Sequence, residues 1–234
     1  MAVAKRIKAW KDKIAPGKQY PVEEALKLVK EFATAKQRLS PLLTPPQRES
    51  LAATMLEDVL TALAGANLAG ILVNTLDPLA SELARRYGAR VITDDARSGH
   101  TGAVAAISRT LTNEGHAGML VMPGDIPGVT AAEIDALIGA HRSAPSFTIA
   151  PAHDEQGSNG VLCLPPDVIP LRFGDNSYFP HLDTARRHGI EPTIVPLPGF
   201  ALDIDHPDDL HAFLHAEPSM PTRTLRFLHQ LGLS

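Results

Sequence analysis

The chain has 234 residues, 44% of them hydrophobic and 21% charged, with a formal net charge of −4, which is apolar material enough for one α/β domain with an appendage. No apolar run approaches the ~20 residues of a bilayer span, and the start lacks the apolar stretch and cleavage site of a secretory signal, so the cytoplasm is the expected address. A single cysteine, Cys163, excludes an internal disulfide or a cysteine-built zinc site and reads as a core thiol.

Charge is spread unevenly along the chain. Residues 1–38 carry +6 and the remainder −10, so an acidic body argues against a nucleic-acid groove. The basic segment, residues 1–36, reads as a solvated helix or arm, with Leu26, Val29 and Phe32 on one helical face. Thr44-Pro-Pro-Gln47 is a capping-box start. Leu51, Met55, Leu56, Val59, Leu60 and Leu63 then recur at the spacing of a helix laid against a core. Strand and helix alternate from there. Ala69–Thr75 is strand-like, Pro78–Tyr87 a helix closed by Gly88, Arg90–Thr93 a short strand, and 101–113 a helix closed by Gly115. Met119–Met122 is a buried strand, Thr130-Ala-Ala-Glu133 opens another helix, and Ser146–Ala150 is a strand. Such alternation predicts a mostly parallel sheet covered by helices on both faces.

The second half is less regular. Gly160–Leu164 and Thr193–Leu197 read as strands around a helix at Tyr178–His188. Ala201–Asp205 is a short strand candidate, and Pro207 opens a helix to about His215. A last amphipathic piece, Thr224–Leu231, packs on the body or on a partner subunit of a homodimer. The simplest division is a basic segment at 1–36, one catalytic domain at 37–216 and a tail at 217–234.

Chemistry is expected where the strands end. Pro123-Gly-Asp-Ile-Pro127 follows an apolar strand, which delivers Asp125 beyond its carboxyl end, where ligands of open α/β sheets bind. An Asp capping a turn would account for that motif alone. Leu202-Asp-Ile-Asp205 raises its weight: in extended chain, Asp203 and Asp205 point the same way while Leu202 and Ile204 face the core. Adjacent carboxylates repel unless a cation offsets them, and hard oxygen donors suit magnesium bridging to phosphates. The turn Arg97-Ser-Gly-His-Thr-Gly102 precedes a helix whose amides could hold an anion. The loops Gln156–Gly160 and Arg172–Ser177 are either ordinary turns or cradles for a small anion.

Taken in order, Ala35-Lys-Gln-Arg-Leu-Ser-Pro41, Gly124-Asp-Ile-Pro127, Gly157-Ser-Asn159, Arg172-Phe-Gly174 through Ser177, and Leu202-Asp-Ile-Asp205 resemble the guanylyltransferases that build the deazaflavin coenzyme F-420. The likeness runs from about Ala35 to Phe213. It implies a Rossmann-like nucleotidyltransferase fold, with GTP and phospholactate, phosphoenolpyruvate or 3-phosphoglycerate as substrates and pyrophosphate as product. It further implies magnesium on Asp125, Asp203 and Asp205, with Asp125, Lys36 and Arg38 as the catalytic set. The acid pocket falls on Ser158, Gly174 and Ser177, and the nucleotide on Lys36, Gly99, Thr101 and Gly124. Thr101 stands where relatives more often have Asn. Residues 5–36 instead resemble the start of ribosomal protein L1, which is helical there, so the first strand is expected to be lost or replaced by Ala25–Val29. Transfer to a sugar phosphate, an inactive relative serving as a binding module, and an RNA-associated protein using the basic arm are the other readings.

Overall fold

The computed structural model describes residues 22–29, 31–93, 99–174, 176–216 and 222–233, the first run by its backbone. Seven strands form one sheet: β1 (Val22–Val29), β2 (Gly70–Thr75), β3 (Arg90–Ile92), β4 (Gly118–Met122), β5 (Ser146–Pro151), β6 (Ser158–Leu164) and β7 (Thr193–Ile194). Their order across the sheet is β3-β2-β1-β4-β6-β5-β7. All neighbours are parallel except β6, which runs antiparallel to both β4 and β5. The mostly parallel sheet read from the alternation is the one observed.

One sequence expectation is corrected here. Residues 22–29, read as helical, form β1, the strand between β2 and β4. Those two strands each offer a row of N–H and C=O groups toward the gap, and leaving both rows unpaired inside a covered sheet would be costly. Pairing with two neighbours therefore outweighs a local helical period. The expected replacement strand, Ala25–Val29, lies within this longer one. Lys30 and the basic stretch before Val22, including most of the segment likened to ribosomal protein L1, lie outside the described residues.

The central strands read as continuous apolar runs because both faces are covered. Leu120, Met122 and Leu162 join Leu56, Leu60, Leu83 and Ile134 in the core on one face. Met119, Val121 and Cys163, at the alternate positions of the same strands, join Ile107, Leu111 and Leu182 on the other. Cys163 is the core thiol expected, and burial pushes its ionisation far up. The helix Pro45–Gly65 begins as its capping motif predicts, with the Thr44 amide donating to Gln47 Oε1 at 2.8 Å. Among the described residues no helix is long and apolar enough to cross a membrane.

A third, smaller core lies outside the sheet strands. Leu39, Leu51, Met55, Ile204, Leu210, Phe213 and Leu228 are buried together there. Leu228 belongs to the terminal helix Arg223–Gln230, which packs on the body of its own chain. The Asp58 carboxylate accepts from the amides of Arg223 at 2.9 Å and Thr224 at 2.8 Å, so a buried acid of the long helix caps the terminal one.

The expected strand at Ala201–Asp205 is a second correction. Pro198–Ala201 is a helical turn, and Leu202–Asp205 follows as extended chain outside the sheet. It is held by the Ile204 amide, which donates to the Asp125 carbonyl at 3.1 Å. Gly199 makes that turn feasible. A side chain there would collide with the Glu133 carboxylate, and its Cβ would lie 2.7 Å from the Gly128 carbonyl oxygen.

Candidate active site

The sheet order reverses direction at β1, with β2 and β3 to one side and β4 to the other. The crevice beyond the carboxyl ends of β1 and β4 is thus the topological switch point where ligands bind in this architecture. The chain leaving β1 turns through two short helical segments, Phe32–Thr34 and Gln37–Leu39. Lys36 lies between them in the left-handed region, with φ 54° and ψ 36°, a conformation that non-glycine residues adopt uncommonly. The loop is fastened by buried Asp77, whose carboxylate accepts from the Phe32 amide at 2.8 Å and the Ala80 amide at 2.9 Å.

That strained backbone aims the Lys36 ammonium into the crevice. Its Nζ lies 2.7 Å from Asp125 Oδ2 and 2.7 Å from Asp205 Oδ1. Burial alone would lower the Lys36 pKa, but the charges of Asp125 and Asp205 and their hydrogen bonds outweigh it, so the ammonium is held above its ordinary value. Asp203 stands beside the pair. Burial, reinforced by the negative charge of Asp125 and Asp205, raises its carboxyl, while a hydrogen bond from Asn159 Nδ2 at 3.0 Å opposes the shift. Asn159 also donates to the Phe200 carbonyl at 2.9 Å, which ties the start of β6 to the turn that presents Asp203.

Two carboxylates therefore close on one ammonium, and a third, Asp203, feels the charge of both. Among the described residues no group of three His, Cys, Asp or Glu side chains is arranged to hold a metal ion. The three-carboxylate convergence expected from the sequence is a pair closed on Lys36, with Asp203 coupled to both by charge. The donor set nonetheless fits a hard divalent cation, since its carboxylate oxygens suit magnesium and two of them already share a cationic group.

The residues expected around the acid form a second cluster. Ser158, at the start of β6, bonds through Oγ to His181 Nδ1 at 3.0 Å and to the Ser177 hydroxyl at 3.1 Å. Gly174 lies exposed in the loop between them, with φ 139°. Thr101 is brought to that loop: its hydroxyl donates to the Phe173 carbonyl at 3.2 Å and accepts from the Phe173 amide at 3.0 Å. Gly99 begins the helix Gly99–Glu114, with φ 73°. Gly124 directly precedes Asp125 at the end of β4, and Arg38 lies exposed one turn beyond Lys36.

Two residues of the site were not singled out by sequence reasoning. Asn159 lay within a quoted motif without a role. His181 had a readable signal, because Tyr178, His181, Leu182 and Ala185 share the buried face of the helix Tyr178–Arg187, and a polar residue on such a stripe calls for a partner.

Residues 24–234 match the family described as Guanylyl transferase CofC like. The chain belongs to that family. The match opens inside β1, so most of this strand and all of the terminal helix fall within the CofC-like span, and the chain is a nucleotidyltransferase. Among CofC-like relatives, a phosphoenolpyruvate guanylyltransferase of Rubrobacter xylanophilus is 35% identical over 182 residues, covering 78% of this chain and 88% of that protein. A 3-phospho-D-glycerate guanylyltransferase of Colwellia psychrerythraea is 34% identical, covering 78% and 86%. A 2-phospho-L-lactate guanylyltransferase of Methanothermobacter thermautotrophicus is 33% identical, covering 86% and 88%. The CofC-like fold is shared with a solved chain from Desulfovibrio desulfuricans titled a nucleotide-diphospho-sugar transferase, at TM-score 0.71 and 17% identity, covering 89% of this chain and 94% of that one.

Proposed function

We propose that this chain transfers GMP from GTP to the phosphate of a small three-carbon phospho-acid and releases pyrophosphate. The observation that carries this reading is the Lys36 ammonium bracketed by Asp125 and Asp205 at the switch point of the sheet. The three CofC-like relatives named for phosphoenolpyruvate, 3-phosphoglycerate and 2-phospholactate guanylyl transfer supply the acceptor class.

In this reading Lys36, with Arg38 near the mouth, holds the triphosphate by charge, and Gly124 lets the chain approach it closely. Asp125, Asp203 and Asp205 would hold magnesium, which neutralises phosphate oxygens when bound. An oxygen of the acid's ionised phosphate forms a bond to the α-phosphorus of GTP. The bond from that phosphorus to the bridging oxygen of the β-phosphate breaks, and pyrophosphate departs with the electron pair. The attacking oxygen is already anionic, so no side chain need take a proton. Ser158, Gly174 and Ser177 would receive the acid, and Gly99 and Thr101 would meet the nucleotide, Thr101 from beside the acid loop through its bonds to the Phe173 backbone.

The test is pyrophosphate release measured across GTP, CTP and ATP against the three acids and a sugar phosphate. Release with GTP and one of the acids is the expected result. Release only with a sugar phosphate, or with no acceptor at all, would overturn the assignment.

A further inference from the structure

The cluster behind the acid-binding residues contains a hydrogen-bond inventory that closes in one way. His181 is 1% exposed, and its Nε2 accepts from the Arg172 backbone amide at 3.1 Å. An amide N–H only donates, so Nε2 carries no proton and the ring hydrogen of the neutral imidazole sits on Nδ1. Nδ1 lies 3.0 Å from Ser158 Oγ, which must therefore accept. The ring is further fixed by Phe173, edge-on at a centroid distance of 5.1 Å, and by Phe147 at 6.2 Å. Burial lowers the imidazole pKa to about 4, consistent with a neutral ring.

Counting hydrogens gives the consequence. The imidazole Nδ1–H and the Ser158 and Ser177 hydroxyls supply three hydrogens. The two bonds within the cluster, His181 to Ser158 and Ser158 with Ser177, use two. Whichever way the serine–serine bond runs, one hydroxyl hydrogen is left to donate outside the cluster. Had the ring carried its proton on Nε2, Nδ1 would accept, both hydroxyl hydrogens would be consumed internally, and none would remain.

We propose that His181 is a positioning residue for the acceptor site: by donating from Nδ1 it commits the Ser158–Ser177 pair to offer one hydroxyl hydrogen to an anionic oxygen of the acid. This rests on the acid subsite assigned above. It makes the subsite a donor by construction, suited to carboxylate or phosphate oxygens and poor for a cation or a second donor.

Two measurements decide it. Nitrogen-15 NMR of the full chain reads the His181 tautomer directly; Nδ1–H with unprotonated Nε2 between about pH 5.5 and 8 is expected, and Nε2–H overturns the proposal. Steady-state kinetics with the acid that supports turnover then compares His181→Leu with His181→Asn, whose amide can donate from the place of Nδ1. The leucine variant should raise KM for the acid about tenfold, leave kcat and KM for GTP within about twofold, and be largely rescued by asparagine. Equal loss toward GTP and acid, or no rescue by asparagine, means a merely structural histidine and overturns it. A wild-type chain that releases no pyrophosphate with any acid sinks the guanylyl-transfer reading instead. The tautomer, read on the same sample, still decides whether the serine pair is a donor.

Discussion

Lys36 concentrates the electrostatics of the crevice in one side chain, and its removal should be read in turnover rather than in fold. With Lys36→Met, pyrophosphate release should fall by about 10²–10³-fold, as for loss of a preorganised charge-stabilising group, while circular dichroism stays that of the parent. Asn159 acts one step back. Asn159→Ala removes the donor to both Asp203 and the Phe200 carbonyl, and leaving buried acceptors unsatisfied should cost about 1–3 kcal/mol in denaturant unfolding, together with a fall in turnover. His181 gives a pH signature. Its folded pKa, about 4, lies below the unfolded value, so the unfolded chain binds the proton first as pH falls. The stability it contributes is whole above about pH 6.5 and is lost toward pH 4, and His181→Asn should flatten unfolding free energy across that window. The acidic residues stood out because Leu202-Asp-Ile-Asp205 adds an adjacent carboxylate pair to a Gly-Asp that alone reads as a turn cap. Lys36 was named only through the family likeness, and its place between two of those acids was not readable, since no local spacing links it to residues 89 and 169 positions away.

At the level of elements, capping and turn chemistry announced the helices well, and strand pairing was harder to foresee. Thr130 and Glu133 show the first case: the predicted reciprocal cap forms, with the Thr130 amide donating to Glu133 Oε2 at 3.0 Å. The same carboxylate reaches further and accepts from the Gly199 amide at 2.7 Å, a tertiary bond no capping rule contains. Gly199→Ala should therefore push the turn away from Glu133 and Gly128 and destabilise the fold by about 1–3 kcal/mol, the usual cost of overpacking, with turnover falling further because the displaced turn carries Asp203. Chemical denaturation and the pyrophosphate assay together separate the two effects. Residues 22–29 show the second case. Their helical period competes with a strand that the family likeness offered only as one alternative, at Ala25–Val29, and the pairing with β2 and β4 decides for the strand and extends it back to Val22.

Across the whole molecule, the terminal helix is packed into the body of the chain. Leu228 lies in one small core with Leu39, three residues beyond Lys36, and with Ile204, which sits between the two aspartates. Leu228→Ala should cost about 2–5 kcal/mol by analogy with other buried truncations, and a thermal melt should show it as one lowered transition rather than a detached early step. From the sequence the terminal helix was visible as an amphipathic stripe, yet its partner surface was not, because Asp58 and Thr224 are joined only by folding.

The one reversed strand, β6, brings its beginning, rather than its end, to the mouth of β4. Ser158 and Asn159 thus arrive from a hairpin, whereas Lys36 and Asp125 arrive from the tips of parallel strands. In the proposed reading, the residues for the acceptor and those for the nucleotide come from different stretches of chain, with Thr101, bonded to the Phe173 backbone, joining the two. Grafting residues 152–159 and 172–177 from a relative with a different acid should therefore exchange the preferred acceptor and leave the preferred nucleotide unchanged, as the same pyrophosphate assay would read.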